Sequence, residues 1–484
     1  MTTVSGGAST TISDSGSLPE APFSDLPFTP DAIAGLVHAQ YTKLPKTGKP
    51  QPSEWTVLAG VVLCRGDDSN PSLEVVALGT GTKCLTATQI ASDTAGECVH
   101  DGHAEVCARR ALRAYLLSEL KLAAHGISDL IRWTASSDGF ELVPGCRWIF
   151  YSSEPPCGDA AIFDDDIDAD GASNATDEPA SKRPRPADTP ASSFTHRTGA
   201  RPADPKAMEA EAATGGAVCA LGLVRTKPGR GVRTSCMSCS DKLARWHALG
   251  AQGALLSLLL AQPLRFDAIV VGAPASLHAL RRAISRGACV RAGDGEAAAE
   301  SAASLPRMAT STLRFAHALA AAAPSDLAAA TAANSVSSSA APTITVAPHP
   351  CSNSLVWAAC RDVNNAAAPL CEALNGLSGR RLGANKKQPS PKHRSLVCKA
   401  LVLAQFRDVV AELASASRDT ACVPSALSDV ANMAQYSYDA LKARADAYQT
   451  RKTTLIGPGG PMSDWVRAPA ACEAFGATSN SDTR

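Results

Sequence analysis

The sequence predicts a single α/β domain interrupted twice by low-complexity sequence, and three observations carry that prediction. Strand-like apolar runs and helical patterns alternate along the chain. The 484 residues are 45% hydrophobic, enough to bury a full core rather than stay unfolded. At ~150 residues per domain the length allows up to about three domains. However, residues 164–215 and 293–345 lack apolar periodicity and read as inserts, and no internal repeat appears.

Residues 1–29 read as a disordered lead-in. From Pro30 a helical pattern runs through Ile33, Leu36, Val37 and Tyr41 and stops at the Pro- and Gly-rich LPKTGKPQPSEW. Two strand-like runs follow, Trp55 to Cys64 and Leu73 to Leu78, joined by the turn-forming RGDDSNPS. A Gly-Thr-Gly-Thr loop (Gly79 to Thr82) comes next. His103 to Ala124 is the strongest helical pattern, with Leu112, Tyr115, Leu116 and Leu120 at helical spacing. Arg147 to Ser153 reads as a short strand ending at Glu154-Pro155-Pro156-Cys157. Beyond the first insert, helices are expected around Asp241 to Leu249 and Gly253 to Ala261, then a strand at Ala268 to Gly272. The segment 350–470 ends in an expected helix whose polar face carries Tyr438, Lys442, Tyr448 and Lys452, and residues 471–484 read as a tail.

The formal charge of zero hides a partition. Residues 1–30 and 164–180 together hold ten of the 46 acids and none of the 46 bases, which leaves the remainder at +10. A basic body is compatible with a polyanionic partner, or with an ordinary solvated surface. The N-terminus has no basic region followed by an apolar one, so no secretory signal is expected. The longest largely apolar stretch, Ala254 to Ala261, is far below the ~18 residues of a membrane span. Sixteen cysteines without a signal point to reduced thiols in an intracellular protein of the cytoplasm or nucleus. Lys182-Arg183-Pro184-Arg185 has the composition of a nuclear address, although such knots are often inert.

Chemistry concentrates in two places. His103-Ala104-Glu105 opens a helix, and Pro156-Cys157 closes a strand. Zinc accepts imidazole and thiolate together, and a nearby carboxylate that is not a ligand can move the proton of an activated water. This is the H-x-E and P-C pattern of zinc deaminases, whose second thiol normally lies three residues after the first. Ala160 stands there, so the second thiol must come from elsewhere, with Cys236 and Cys239 as candidates. Taken alone, an H-x-E is ordinarily a capped turn, and Cys236-x-x-Cys239 is equally a structural zinc half-site or a redox pair. The cysteines outside these motifs read as small buried hydrophobes.

Four segments carry a family resemblance: GTGTKCL (Gly79 to Leu85), DGHAEVCARRAL (Asp101 to Leu112), PPCGDAAIF (Pro155 to Phe163) and MSCSDKLARW (Met237 to Trp246). Together, in this order, they resemble the adenosine deaminase domain that acts on RNA, found in ADAR editing enzymes and in tRNA adenosine deaminases. The resemblance covers residues 30–163, 216–290 and 350–467. It implies a cytidine-deaminase-like core with a mixed sheet backed by helices. It implies zinc held by His103, Cys157 and Cys239, with Glu105 as general acid/base, Cys236 structural, and Thr82 and Lys83 meeting the substrate nucleotide. It also implies a buried inositol hexakisphosphate, matched by Arg109, Arg110, Lys242, Arg245, Trp246, Lys399, Tyr438, Lys442, Tyr448, Lys452 and Trp465. Lys242 would couple that anion to the active site through Asp101. Buried cations at these positions are costly unless paired with anions.

Two departures weaken a duplex-RNA reading: His100 stands where the editing enzymes commonly have Asn, and Ala161 where an Arg often follows PCGDA. About fifty residues precede the first core strand, so no preceding duplex-RNA-binding domain is expected, and AQYTKLPKTGKPQPSEWTVLAG resembles the start of the tRNA enzymes. The expected activity is therefore hydrolytic conversion of adenosine to inosine 3′ of the anticodon, with tRNA-Ala the expected partner and neither membrane nor DNA involved. Residues 377–399 hold seven Lys or Arg and no acid, a stretch suited to tracking phosphates. The alternatives are an ADAR-like editor of structured RNA and a catalytically silent RNA-binding paralogue.

Overall fold

A computed structural model describes residues 22–163, 196, 198–215, 218–228, 234–288, 305–319, 348–384, 390–416, 423–428 and 430–476. The acidic run 164–180 and the basic knot at Lys182 lie outside the described residues, as do Lys386 and Lys387 of the basic stretch.

An eight-stranded mixed sheet forms the middle layer. Its strands are β1 (Leu58–Arg65), β2 (Ser72–Thr80), β3 (Arg147–Ser152), β4 (Ala268–Gly272), β5 (Arg307–Ser311), β6 (Asn353–Ala358), β7 (Leu370–Asn375) and β8 (Arg380–Arg381), in the spatial order β5-β4-β3-β1-β2-β6-β7-β8. β5, β4 and β3 run parallel, and the other neighbours are antiparallel. The central strands are buried on both faces, which explains their continuous apolar runs. Their side chains divide by the two-residue period of a strand. Leu58, Val62, Ile149, Tyr151 and Val270 enter one cluster with Ile33 and Val37 of α1 (Pro30–Lys43). Ala59, Val61, Leu63, Phe150, Ile269 and Val271 face the larger cluster on the other side.

That larger cluster centres on α2 (Ala104–Ala124), built from strong helix formers with no Gly or Pro. Leu112, Tyr115, Leu116 and Leu120 are all buried there, each contributing roughly 1.5–3 kcal/mol. Further helices are α3 (Pro205–Ala213), α4 (Cys239–Leu249), α5 (Leu277–Ala288), α6 (Lys399–Ala416), α7 (Tyr438–Ala443) and α8 (Asp446–Ile456), besides short ones at Ala87–Ser92 and Gly253–Leu256. The expected α/β class, a mixed sheet backed by helices in one domain, is what the chain forms. Among the described residues, no helix is long and apolar enough to cross a membrane.

Several expected boundaries move. Residues 198–215, placed in the first insert, are folded: α3 lies there, and its Glu211 is buried against Arg225 (2.5 Å). The second insert expected from the sequence overlaps β5, whose register with β4 is fixed by five residue pairs and whose following Phe315 and Ala318 are buried. Leu26 and Phe28, within the expected disordered lead-in, are buried beside α1. The tail begins later than residue 471, because Cys472 is buried and Phe475 stacks on Tyr438 (ring centroids 5.2 Å).

Two helices are shorter than expected. The one at Gly253 stops at Leu256, since Leu259 O accepts from Phe140 N (2.8 Å) and Ala261 N donates to Phe140 O (3.0 Å). The single helix expected through Tyr438 and Lys452 is divided into α7 and α8, where the Gln449 amide caps the Lys442 carbonyl (2.6 Å).

Candidate active site

Three element ends meet beyond the C-terminal end of the interior strand β3. His103 is the N-cap of α2, Cys157 follows β3, and Cys239 is the first residue of α4. Ser240 N donates to Cys157 O (3.0 Å) and Cys239 N to Cys157 Sγ (3.4 Å), which ties the strand end to the helix start. This approach requires Gly158 (φ 110°), where a Cβ would lie 2.3 Å from Ser238 Oγ. Gly81 (φ 133°) does the same for the loop carrying Thr82 and Lys83, since a Cβ there would lie 2.1 Å from Gly102 O.

Thr82, Lys83, His103 and Cys157 line one cavity of about 560 Å³. Glu105 (3% exposed) and Cys239 (0%) are buried, and the Glu105 charge acts on both thiols in the direction of a higher pKa. For Cys157 the hydrogen bond from Cys239 outweighs burial; with the Lys227 and His103 charges it brings the thiol down to about 6. Cys239 is held well above its ordinary value by burial and by Cys157.

Asp101 organises the surroundings. Its Oδ1 lies 2.8 Å from His103 Nδ1 and accepts from His103 N (3.1 Å). Its Oδ2 accepts from Lys227 Nζ (2.7 Å) and from Lys242. Burial pushes this carboxyl up, but Lys227, Lys242 and His103 together hold it well below the usual carboxylate range. Lys227 is 1% exposed and also donates to Cys239 Sγ (3.1 Å). Sequence reasoning missed Lys227, which lies between the third and fourth family segments. Its only signal was a Lys closing the Arg225-Thr226-Lys227 run before Pro228-Gly229.

Among the described residues, no group of three His, Cys, Asp or Glu side chains stands in positions that could hold a metal as they are. Here the two sulfurs engage each other and Lys227 instead. The donor chemistry nevertheless suits zinc: a thiolate-prone Cys157, a second thiol, and an imidazole whose Nδ1 is taken by a carboxylate, leaving Nε2 for a metal. Cys236 packs apart, with Leu85, Ile90 and Cys472.

A second cavity of about 270 Å³ lies on the other side of Asp101. All eleven residues expected at the polyphosphate site line it, together with Arg113 and Glu473, which the sequence did not single out. Arg109 is pushed down to about 9 by burial and by Arg113, Arg245 and Arg110. Burial alone would raise Tyr438, yet Arg113, Lys442 and Lys399 bring it down to about 8. Arg113 Nε is buried without a partner. Lys399 and Lys442 share the Glu473 carboxylate (3.3 and 2.5 Å). Such mutual repulsion in a buried space fits a compact polyanion.

A His-x-Glu helix start facing a Pro-Cys strand end on an α/β sheet is the arrangement of nucleobase deaminases. The adenosine-deaminase (editase) domain matches residues 77–469. The chain belongs to that family and is an adenosine deaminase. Mouse tRNA-specific adenosine deaminase 1 is 34% identical over 343 residues, covering 53% of this chain and 68% of the relative. The Drosophila melanogaster protein of that name is 35% identical over 253 residues, 52% of this chain and 57% of its own length. The double-stranded RNA-specific editase Adar of Drosophila melanogaster is 29% identical over 248 residues, 50% of this chain and 33% of the relative.

Proposed function

We propose that the protein deaminates adenosine to inosine hydrolytically in tRNA, at the base 3′ of the anticodon of tRNA-Ala. The convergence of His103, Cys157, Cys239 and Glu105 supports this most directly. His103, Cys157 and Cys239 would hold zinc. When bound, zinc supplies Lewis acidity that lowers the pKa of water to about 7. Asp101 keeps the His103 proton on Nδ1, which leaves Nε2 free to ligate zinc. Glu105 accepts the proton of the attacking water and returns it to the departing ammonia. Lys227 tempers the charge on Cys239. Thr82 and Lys83 position the target nucleotide, which leaves a single-stranded loop at little cost.

The second cavity would hold inositol hexakisphosphate, with Lys242 linking it to Asp101. We further propose that the enzyme works inside the cell, in the cytoplasm or nucleus, with its thiols reduced.

The tRNA reading is supported by the N-terminal stretch from Ala39 to Gly60 and by the higher identity to the tRNA-specific relatives. Purified protein should be incubated with bulk tRNA and with long duplex RNA, and inosine mapped by sequencing. Inosine confined to the anticodon loop is expected. Inosine confined to the duplex would favour an editor of structured RNA, and none in either would favour a silent paralogue.

A further inference from the structure

A cationic hollow of about 240 Å³ lies beside the active cavity, among residues that the reaction does not use. Its walls come from three segments: His38 and Tyr41 of α1, Lys49 of the loop after it, and Arg314, Phe315 and His317. Two ties set it against the active cavity. Thr56 N donates to His317 O (2.9 Å), and Trp55 and Val57 on either side of Thr56 line that cavity. Leu319, two residues beyond His317, lines it as well.

Among the described residues, no acid lines the hollow. Lys49 is half-buried, with its ammonium 4.6 Å from the centroid of the Tyr41 ring. It donates to Thr42 O (3.2 Å), which leaves two of its three N–H donors without a partner among the described residues. Arg314 is exposed and makes no hydrogen bond or ion pair among the described residues. Burial and the Lys49 charge both push the His317 imidazole down, so the field of the ammonium reaches across the hollow. A single strand that delivers a base to His103 and Glu105 carries a phosphate on each side of that base. Contacts to phosphate fix the register of a strand without reading its sequence.

We propose that this hollow is a backbone subsite in which Lys49 and Arg314 bind a phosphodiester of the RNA strand flanking the target adenosine. This rests on the RNA-deaminase reading above. The two cations take no part in the reaction; they set where along the strand the cavity engages.

The test uses the full chain and a fluorescent tRNA-Ala anticodon stem-loop, with binding read by anisotropy between about 50 and 200 mM salt. Lys49→Gln and Arg314→Gln should each weaken binding and reduce the slope of log Kd against log salt by about 0.7. Arg314→Lys should restore the slope. Arg314 is exposed, so it carries the test even where Lys49→Gln loosens its loop. A second arm replaces the loop phosphates one at a time by uncharged methylphosphonates. At one position the replacement should weaken wild type and leave the double variant Lys49→Gln/Arg314→Gln unchanged. Wild-type slopes in both single variants, or no position that separates wild type from the double variant, would overturn the proposal. Inosine scored on the same RNA tests the underlying reading apart from this one. Altered slopes without inosine would overturn the deaminase reading and support the subsite as an RNA contact, and wild type that binds no RNA would overturn both.

Discussion

Asp101 and Lys242 pair in the lining of the second cavity, and Asp101 also holds His103, which lines the first, so one carboxylate joins the imidazole of His103 to the cation cluster. Lys227 reaches the same Oδ2 from the opposite side at 2.7 Å. Removing the carboxylate charge strands the buried ammonium of Lys227 and the half-buried one of Lys242, a loss of about 3–5 kcal/mol by analogy with other broken buried pairs. Asp101→Asn should therefore lower both melting temperature and inosine formation. Lys227→Met leaves Asp101 paired with Lys242 and should cost less stability than Asp101→Asn, as read by thermal unfolding. Equal stability of Asp101→Asn and wild type would show that the carboxylate is not the shared partner.

The division of labour around Glu105 predicts a separation of metal content from turnover. Glu105→Gln should abolish inosine while zinc stays near one per chain, measured by elemental analysis. Cys239→Ala should lose zinc, and Cys236→Ala should keep it, because Cys236 packs with Leu85, Ile90 and Cys472. Zinc lost from Cys236→Ala and kept by Cys239→Ala would reverse the assignment of the thiol.

Much of this was legible because strong signals coincide with rigid elements. The α2 stripe and the β1 run express burial directly, and His103, Cys157 and Cys239 sit where element ends leave side chains free. What stayed hidden depends on distant partners. Lys227 has no local signature, since its meaning comes from Asp101, 126 residues away. β5 and α3 were lost in Ala-rich sequence, because small residues carry little periodicity even where the sheet edge or Arg225 fixes them. His196 and Thr198 were concealed in the same way, their places being set by Phe163 and Gly158.

The corrected insert boundary makes a sharper deletion experiment. Phe163 and His196 are already paired, so a short turn can join them once residues 165–194 are removed. That deletion should give soluble, zinc-containing protein. Extending it to residue 215 removes Glu211 and leaves Arg225 buried without its carboxylate, which costs about 3–5 kcal/mol. The longer deletion should aggregate, and Glu211→Ala in the full chain should lower the melting temperature. Full stability of Glu211→Ala would remove this explanation.

Glu473 makes one contribution to stability pH-dependent. Burial raises its carboxyl, but Lys442 and Lys399 outweigh that and bring it down to about 2. Its folded value lies below the unfolded ~4.3, so its contribution is present in full above about pH 4.3 and is lost as the pH falls toward 2. The side chain is 33% exposed, which discounts its worth to about 1 kcal/mol. Glu473→Gln should therefore be less stable than wild type at pH 7, with the gap closing between pH 4.5 and 2 in denaturant titrations. A gap that stays constant down to pH 2 would show that the charge is not what matters.

The final prediction concerns the excess of cations in the second cavity. Arg109, Arg110, Arg113, Lys242, Arg245, Lys399, Lys442 and Lys452 converge there, and the carboxylates that line the cavity are Asp101 and Glu473. Arg109 is driven down to about 9 by burial and by neighbouring guanidiniums, and Lys452 is lowered by burial and by Arg245. Each unpaired charge left in such a space costs several kcal/mol, more than most folds can carry. A bound polyphosphate would reverse the sign of that balance and would offer acceptors to Arg113 Nε, Tyr438, Tyr448 and Trp465. It should then stay with the protein through purification. Denaturing the pure protein should release about one inositol hexakisphosphate per chain, detected by mass spectrometry. Arg109→Met and Lys452→Met should each lower both the bound amount and the melting temperature. Soluble, active protein from a host that makes none of this compound would defeat the prediction, because the cations would then have been satisfied without it.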